Sequence, residues 1–155
     1  MSNIKTPESM GMDSQGILDW IEAVEAAKLE IHGLVIRRHG ETVAEGWWHP
    51  YQPQTPHILH SLSKSFTSTA VGFAVSEGLL TVEDSVLSFF PEEAPAEPTP
   101  CQRDMKVKHL LMMGTGHTQD IMGGVRERAD GNWVRHFFEN PPEKAPGSLF
   151  FYNNL

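Results

Sequence analysis

Ser61-Leu62-Ser63-Lys64 places a hydroxyl and a primary amine three residues apart, at the head of a small and apolar run from Ser65 to Leu80 that carries no charge before Glu77. On a helix, residues three apart share a face, so the amine reaches back to the hydroxyl. A serine is a poor nucleophile until a base takes its proton. A lysine kept out of water loses part of its preference for the charged form, and the neutral amine is a base. A helix N-terminus at this point adds partial positive charge and amides where an oxyanion would form. The competing reading of the same four residues is an N-cap serine with a surface lysine. A run that is apolar all round predicts a buried helix, into which Lys64 would be drawn.

Tyr152-Asn153-Asn154 offers partners for such a site. The Tyr152 phenol can relay a proton between the serine and a leaving group, and the Asn154 amide can bond both a lysine and a substrate carbonyl. The triplet is common in loops, and its weight comes from standing in one chain with Ser61 and Lys64. A rival arrangement is a metal hydrolase. His49, His57 and His60 precede the serine, but their spacing matches no standard zinc helix. His117 is a further candidate for the border of a cleft. Met112 and Met113 read as core filler, and Gly114-Thr115-Gly116 lacks the residues of a phosphate loop.

The elements that must position these groups are legible in outline. A lead-in over residues 1–12 gives way to a helix capped by Asp13 or Ser14, with Ile17, Trp20, Ile21 and Val24 on one face, ending near Lys28. Ile31–Arg38 and Thr42–Trp48 read as a hairpin turning at His39-Gly40-Glu41. Gly78 is placed to end the helix after Lys64. A Pro-rich exposed loop covers 92–100 and holds Cys101 at its end. A short helix spans Val107–Met113, Gly123-Gly124 marks a flexible link, and Trp133, Val134, Phe137 and Phe138 stripe a last helix.

Composition narrows the function. The net charge of -8 argues against nucleic acid and against anionic membrane surfaces. No run is long enough to span a bilayer, and the first residues hold no apolar signal core, so the expected location is cytoplasmic. The single cysteine, Cys101, forms no intrachain disulfide.

Five segments carry a family resemblance. Ser61 to Ser68 resembles the signature of the serine β-lactamase and penicillin-binding-protein superfamily, in its class C-related branch. Ile31–Gly40 resembles the first sheet hairpin of that branch. Glu77–Val86 and Val107–His117 are similar to its E-G-L-L-x-L-D-D-P-V and I-R-H-L-L stretches. Pro146–Asn154 is similar to its P-G-x-x-F-x-Y-S-N approach to the second motif. The resemblance implies an α/β (α+β) fold: an antiparallel sheet flanked by helices, beside a helical subdomain.

It further implies Ser61 as nucleophile, Lys64 as general base, Tyr152 and Asn154 as the second motif, an acyl-enzyme, and no metal or organic cofactor. The implied partner is a small amide, ester or peptide. Intracellular esterase, amidase or peptidase chemistry fits better than antibiotic resistance. No Lys-Thr-Gly or His-Thr-Gly triplet stands in the 155 residues. The expectation is therefore an N-terminal portion of a single domain of this kind, with a helix and hairpin over 13–60 and a mainly helical part over 61–155. It would be inactive alone and open to self-association at an incomplete sheet edge. The alternative is a non-catalytic binding or regulatory module that keeps the fold.

Overall fold

A computed structural model describes residues 4–154. Six α-helices and a two-stranded antiparallel sheet occur among the described residues, an α/β mixture of the expected kind. The chain forms two compact units, the first ending at Ile58 and the second beginning at Leu59. Residues 1–3 of the expected lead-in lie outside the described residues. Its remainder contains one 3₁₀ turn, Glu8–Met10.

In the first unit, helix α1 (Ser14–Ala26) starts where Asp13 turns extended and its side chain accepts the Gln15 N–H at 2.9 Å, the N-cap geometry. Val24 is buried, Ile17 and Ile21 are half-buried, and Trp20 is exposed, so the buried stripe is narrower than the periodicity predicts. The helix ends in a Schellman closure. Lys28 takes φ 55, its N–H meets the Glu25 carbonyl, and Leu29 N–H meets that of Val24.

Strands β1 (Gly33–Arg38) and β2 (Glu41–Trp47) pair antiparallel. His39 and Gly40 join them at φ 49 and 83, the two-residue turn whose hand suits strand twist. Ile36 pairs Ala44 and Arg37 pairs Thr42, which leaves Val43 as the extra residue of a bulge, buried in the core of this unit. The Trp48 indole N–H points to Glu25 of α1 at 3.4 Å.

The second unit holds α2 (Ser63–Ser76), α3 (Pro100–Asp104), α4 (Val107–Leu111), α5 (Met122–Val125) and α6 (Trp133–Glu139). The expected burial of α2 is not found. None of its residues is buried, and Phe66 and Phe73 are 62% and 65% exposed. An all-round apolar pattern leads to burial only where other elements surround the helix, and the element α2 touches most is its own leading turn. Local bonds hold it: Thr67 and Thr69 hydroxyls donate to the Ser63 and Ser65 carbonyls. Gly78, at φ 71, closes its end as predicted, with Gly78 N–H on Val75 and Leu79 N–H on Ala74.

Val86, Met105 and Phe138 form the core of this unit, with Leu87, Phe90, Leu110, Val134 and Phe137 packed on it. Cys101 lies in helix α3 and not in a loop. Thr99 and Gln102 form a capping box, Pro100 takes the first helical position, and buried Gln102 donates to the Phe138 carbonyl at 2.7 Å. Several residues of the preceding 92–100 segment are half-buried. Gly123-Gly124 belongs to α5 and is no link. A Cβ at Gly124 would meet the His136 ring at 2.6 Å, so the glycine admits that ring. Helix α4 stops at Leu111, short of Met113, which takes φ 56.

The part of this unit that positions the C-terminal motif is a backbone ladder. Lys144 N–H donates to Gly116 O at 3.0 Å, Gly147 N–H to Gly114 O at 2.7 Å, and Phe151 N–H to Met113 O at 3.0 Å. These bonds lay residues 144–151 along the turn after α4. The approach is so close that a Cβ on Gly116, whose φ is 92, would stand 2.1 Å from Lys144 O. Gly116→Ala is expected to cost about 1–3 kcal/mol, because it adds left-handed strain to a backbone clash. Gly123→Ala, with nothing within 4 Å of the added carbon, should be near neutral. Urea unfolding of the two variants checks this, and equal midpoints would disprove the ladder's tightness.

Candidate active site

Ser61 is exposed and sits in the 3₁₀ turn His60–Leu62, two residues before α2 begins. His60 immediately before it takes φ 45, a left-handed conformation that a non-glycine residue adopts at a cost of about 1 kcal/mol or more. Lys64, in the first turn of α2, is half-buried and not in a dry pocket, which corrects the expectation drawn from a buried helix.

All four residues singled out from the sequence meet here. Lys64 Nζ lies 3.3 Å from Ser61 Oγ and 3.1 Å from Asn154 Oδ1. Tyr152 Oη donates to Ser61 Oγ at 2.6 Å. Lys64 Nζ also stands 5.1 Å from the centre of the Tyr152 ring, within cation–π range. The Ser61 hydroxyl, and after it Lys64, would stabilise a Tyr152 phenolate and so hold that phenol below its ordinary value of about 10. Between Lys64 and Ser61 a proton can pass in either direction: as an ammonium Lys64 donates to Ser61, and as an amine it accepts from it.

Between the two motif residues stands Asn153, buried, whose amide donates to the Gln119 carbonyl at 3.2 Å. It points inward while Tyr152 and Asn154 are exposed, so it pins the triplet from behind. The sequence places it in the triplet but assigns it no role of its own. Its one signal is an amide side chain at the middle of a motif whose flanking residues face outward. A cavity of about 120 Å³ opens at Lys64 and is walled by Leu110, Met113, Thr115, Asn153 and Asn154 among others.

The other candidates have structural roles. His117 does not border the cleft. It is buried, its Nε2–H donates to the Asn140 carbonyl at 2.7 Å, and its Nδ1 pairs with the Thr115 hydroxyl at 2.8 Å. His109 is buried against the ladder, and its Nδ1 accepts the Lys106 N–H at 3.1 Å. Burial first, then nearby Lys108 and Lys106, push this imidazole below its usual value, which keeps it the neutral acceptor that bond needs. His57 Nδ1 faces His32 Nδ1 at 3.4 Å. Among the described residues no three or more His, Cys, Asp or Glu side chains are gathered so as to hold a metal ion. Nor, among them, is any helix long and apolar enough to cross a membrane.

Ser61, Lys64, Tyr152 and Asn154 thus gather within hydrogen-bonding reach of one another at the head of α2. A beta-lactamase family model matches residues 21–155. The chain belongs to the beta-lactamase family.

Stabilising the charged form of an acid lowers its pKa, so removing a stabilising partner raises it. Ser61→Ala and Lys64→Met are each expected to move the Tyr152 phenol back up toward 10, read as phenolate absorbance near 295 nm in an alkaline titration. A titration unchanged in both variants would show that the three side chains do not interact in solution.

Proposed function

We propose that Ser61 is the nucleophile of an amide- or ester-cleaving reaction, with Lys64 as its general base and Tyr152 and Asn154 completing the site. The observation that carries this reading is the convergence on one oxygen: Ser61 Oγ lies within hydrogen-bonding distance of both Lys64 Nζ and Tyr152 Oη. Ser61 Oγ passes its proton to the Lys64 amine as it attacks the substrate carbonyl. The negative charge that collects on the carbonyl oxygen is stabilised by the positive end of α2, whose first turn follows directly. Collapse of the tetrahedral intermediate breaks the bond to the leaving alcohol or amine, which takes a proton through Tyr152. Water then hydrolyses the acyl-Ser61 ester, and its proton returns the site to its starting state. Asn154 holds Lys64 through Oδ1 and has its amide nitrogen to offer a substrate carbonyl.

The substrates in view are small esters, amides and short peptides, in the class C-related branch. Among the 155 residues no Lys-Thr-Gly or His-Thr-Gly triplet supplies a further substrate-binding motif. These residues alone therefore acylate slowly and turn over little. The same observation favours a second reading, a binding module that keeps the fold without turnover.

The test is exposure of the purified chain to an activated aryl ester, followed by peptide mass spectrometry. One adduct on Ser61 is expected, absent in Ser61→Ala and formed about 10²–10⁴-fold more slowly in Lys64→Met. Labelling spread over surface residues, or none at all, would leave only the binding module. Labelling at an enzyme-like rate with many turnovers would overturn the expected weakness of the isolated chain.

A further inference from the structure

An apolar hollow of about 300 Å³ opens in the second unit, walled by Phe90, Leu110, Trp133, Val134 and Phe137 among others. Among the described residues its one polar wall is Asn154, whose Oδ1 accepts from Lys64 at 3.1 Å. Leu110 and Asn154 also line the smaller cavity at Lys64, so the two spaces share a wall. The aromatic side is braced. Phe137 and Phe90 both pack edge-on against buried Phe138, at 5.6 and 6.2 Å between ring centres. Trp133, half exposed at the rim, keeps apolar surface in water. A braced, mostly apolar concavity with one convergent amide has the make-up of a small-molecule site, at the lower end of the usual size.

We propose that this hollow receives the hydrocarbon part of the substrate, so that the chain selects esters or amides bearing an apolar aliphatic acyl group. This rests on the hydrolase reading of Ser61 and names the substrate class for it. Asn154 decides the occupant, because it lines the hollow and also accepts from Lys64. A ligand held at Asn154 has its polar end toward Lys64 and Ser61, and a wall of aliphatic and aromatic carbon on the other side. Each methylene moved from water into such a wall strengthens binding by about fourfold when fully covered.

Unreactive alkyl amides test the hollow apart from catalysis. Butanamide, hexanamide and octanamide are titrated into the full chain and into Ser61→Ala, with the Trp133 indole N–H followed by heteronuclear NMR. Affinity is expected to rise about tenfold or more from butanamide to octanamide, with the indole signal shifting, equally in both proteins. Val134→Phe, which fills the hollow, and Trp133→Ala, which opens its exposed rim and is followed by calorimetry, should each flatten the gradient. The second variant keeps the test alive if the first does not fold.

A flat series would overturn the proposal, as would a gradient that survives both substitutions, since the chains would then lie on the exposed face of α2. Dissociation of a dimer by Val134→Phe, with no amide binding in the parent, would assign the hollow to a second copy of the chain. The two readings fail separately. Loss of Ser61 labelling with the amide gradient intact sinks the hydrolase reading and leaves the hydrocarbon site standing.

Discussion

Everything the site can do depends on three backbone hydrogen bonds that involve no catalytic atom. The bonds from Lys144, Gly147 and Phe151 to Gly116, Gly114 and Met113 deliver Tyr152 to a serine 91 residues earlier in the chain. Closing a loop of that length costs entropy that two exposed side-chain hydrogen bonds do not repay. The ladder repays it in advance, by joining the run 144–151 to a turn already anchored through α4 to the core. Gly116 is what permits the two backbones to come so close. The phenol and the amide then reach Ser61 and Lys64 with little left to order.

The anchoring can be followed outward from the ladder. His109 of α4 lies against Gly147 and accepts the N–H of Lys106. Lys106 pairs with Ser85 in an isolated β-bridge, next to Val86 of the core. Glu83 bridges Lys106 and Lys108, and those two cations hold its carboxyl down at about 2. The bridge is exposed and screened by salt, so its service is to orient the start of α4 more than to stabilise it. Chemistry, ladder and core are thus linked through contiguous contacts in one unit.

Local signals in the sequence carried local structure well. Asp13 caps α1, Gly40 turns the hairpin and Gly78 closes α2, because each residue's own stereochemistry decides its place. The four site residues were legible for a different reason: side-chain chemistry at fixed spacing has few uses. Burial was misjudged in α2, since periodicity describes the helix and says nothing of what surrounds it. Helix α3 was hidden by its prolines, although Thr99 followed by Gln102 is a capping-box signature. The ladder left almost no trace, because backbone donors and acceptors are the same in every residue. Only its glycines hinted at it, and they read as a loop. Asn153 was overshadowed by the neighbours it supports.

The bare flanks of α2 have a kinetic side. A helix without buried side chains opens at little more than the cost of its own hydrogen bonds, whereas the run bearing Tyr152 is tied to the core. Amide deuteration in native buffer would therefore sweep quickly through Ser63–Ser76 and slowly through the anchored turn beside Gly114. The nucleophile and the phenol that greets it stand on foundations of different stability, and the population of the assembled site is set by the weaker one.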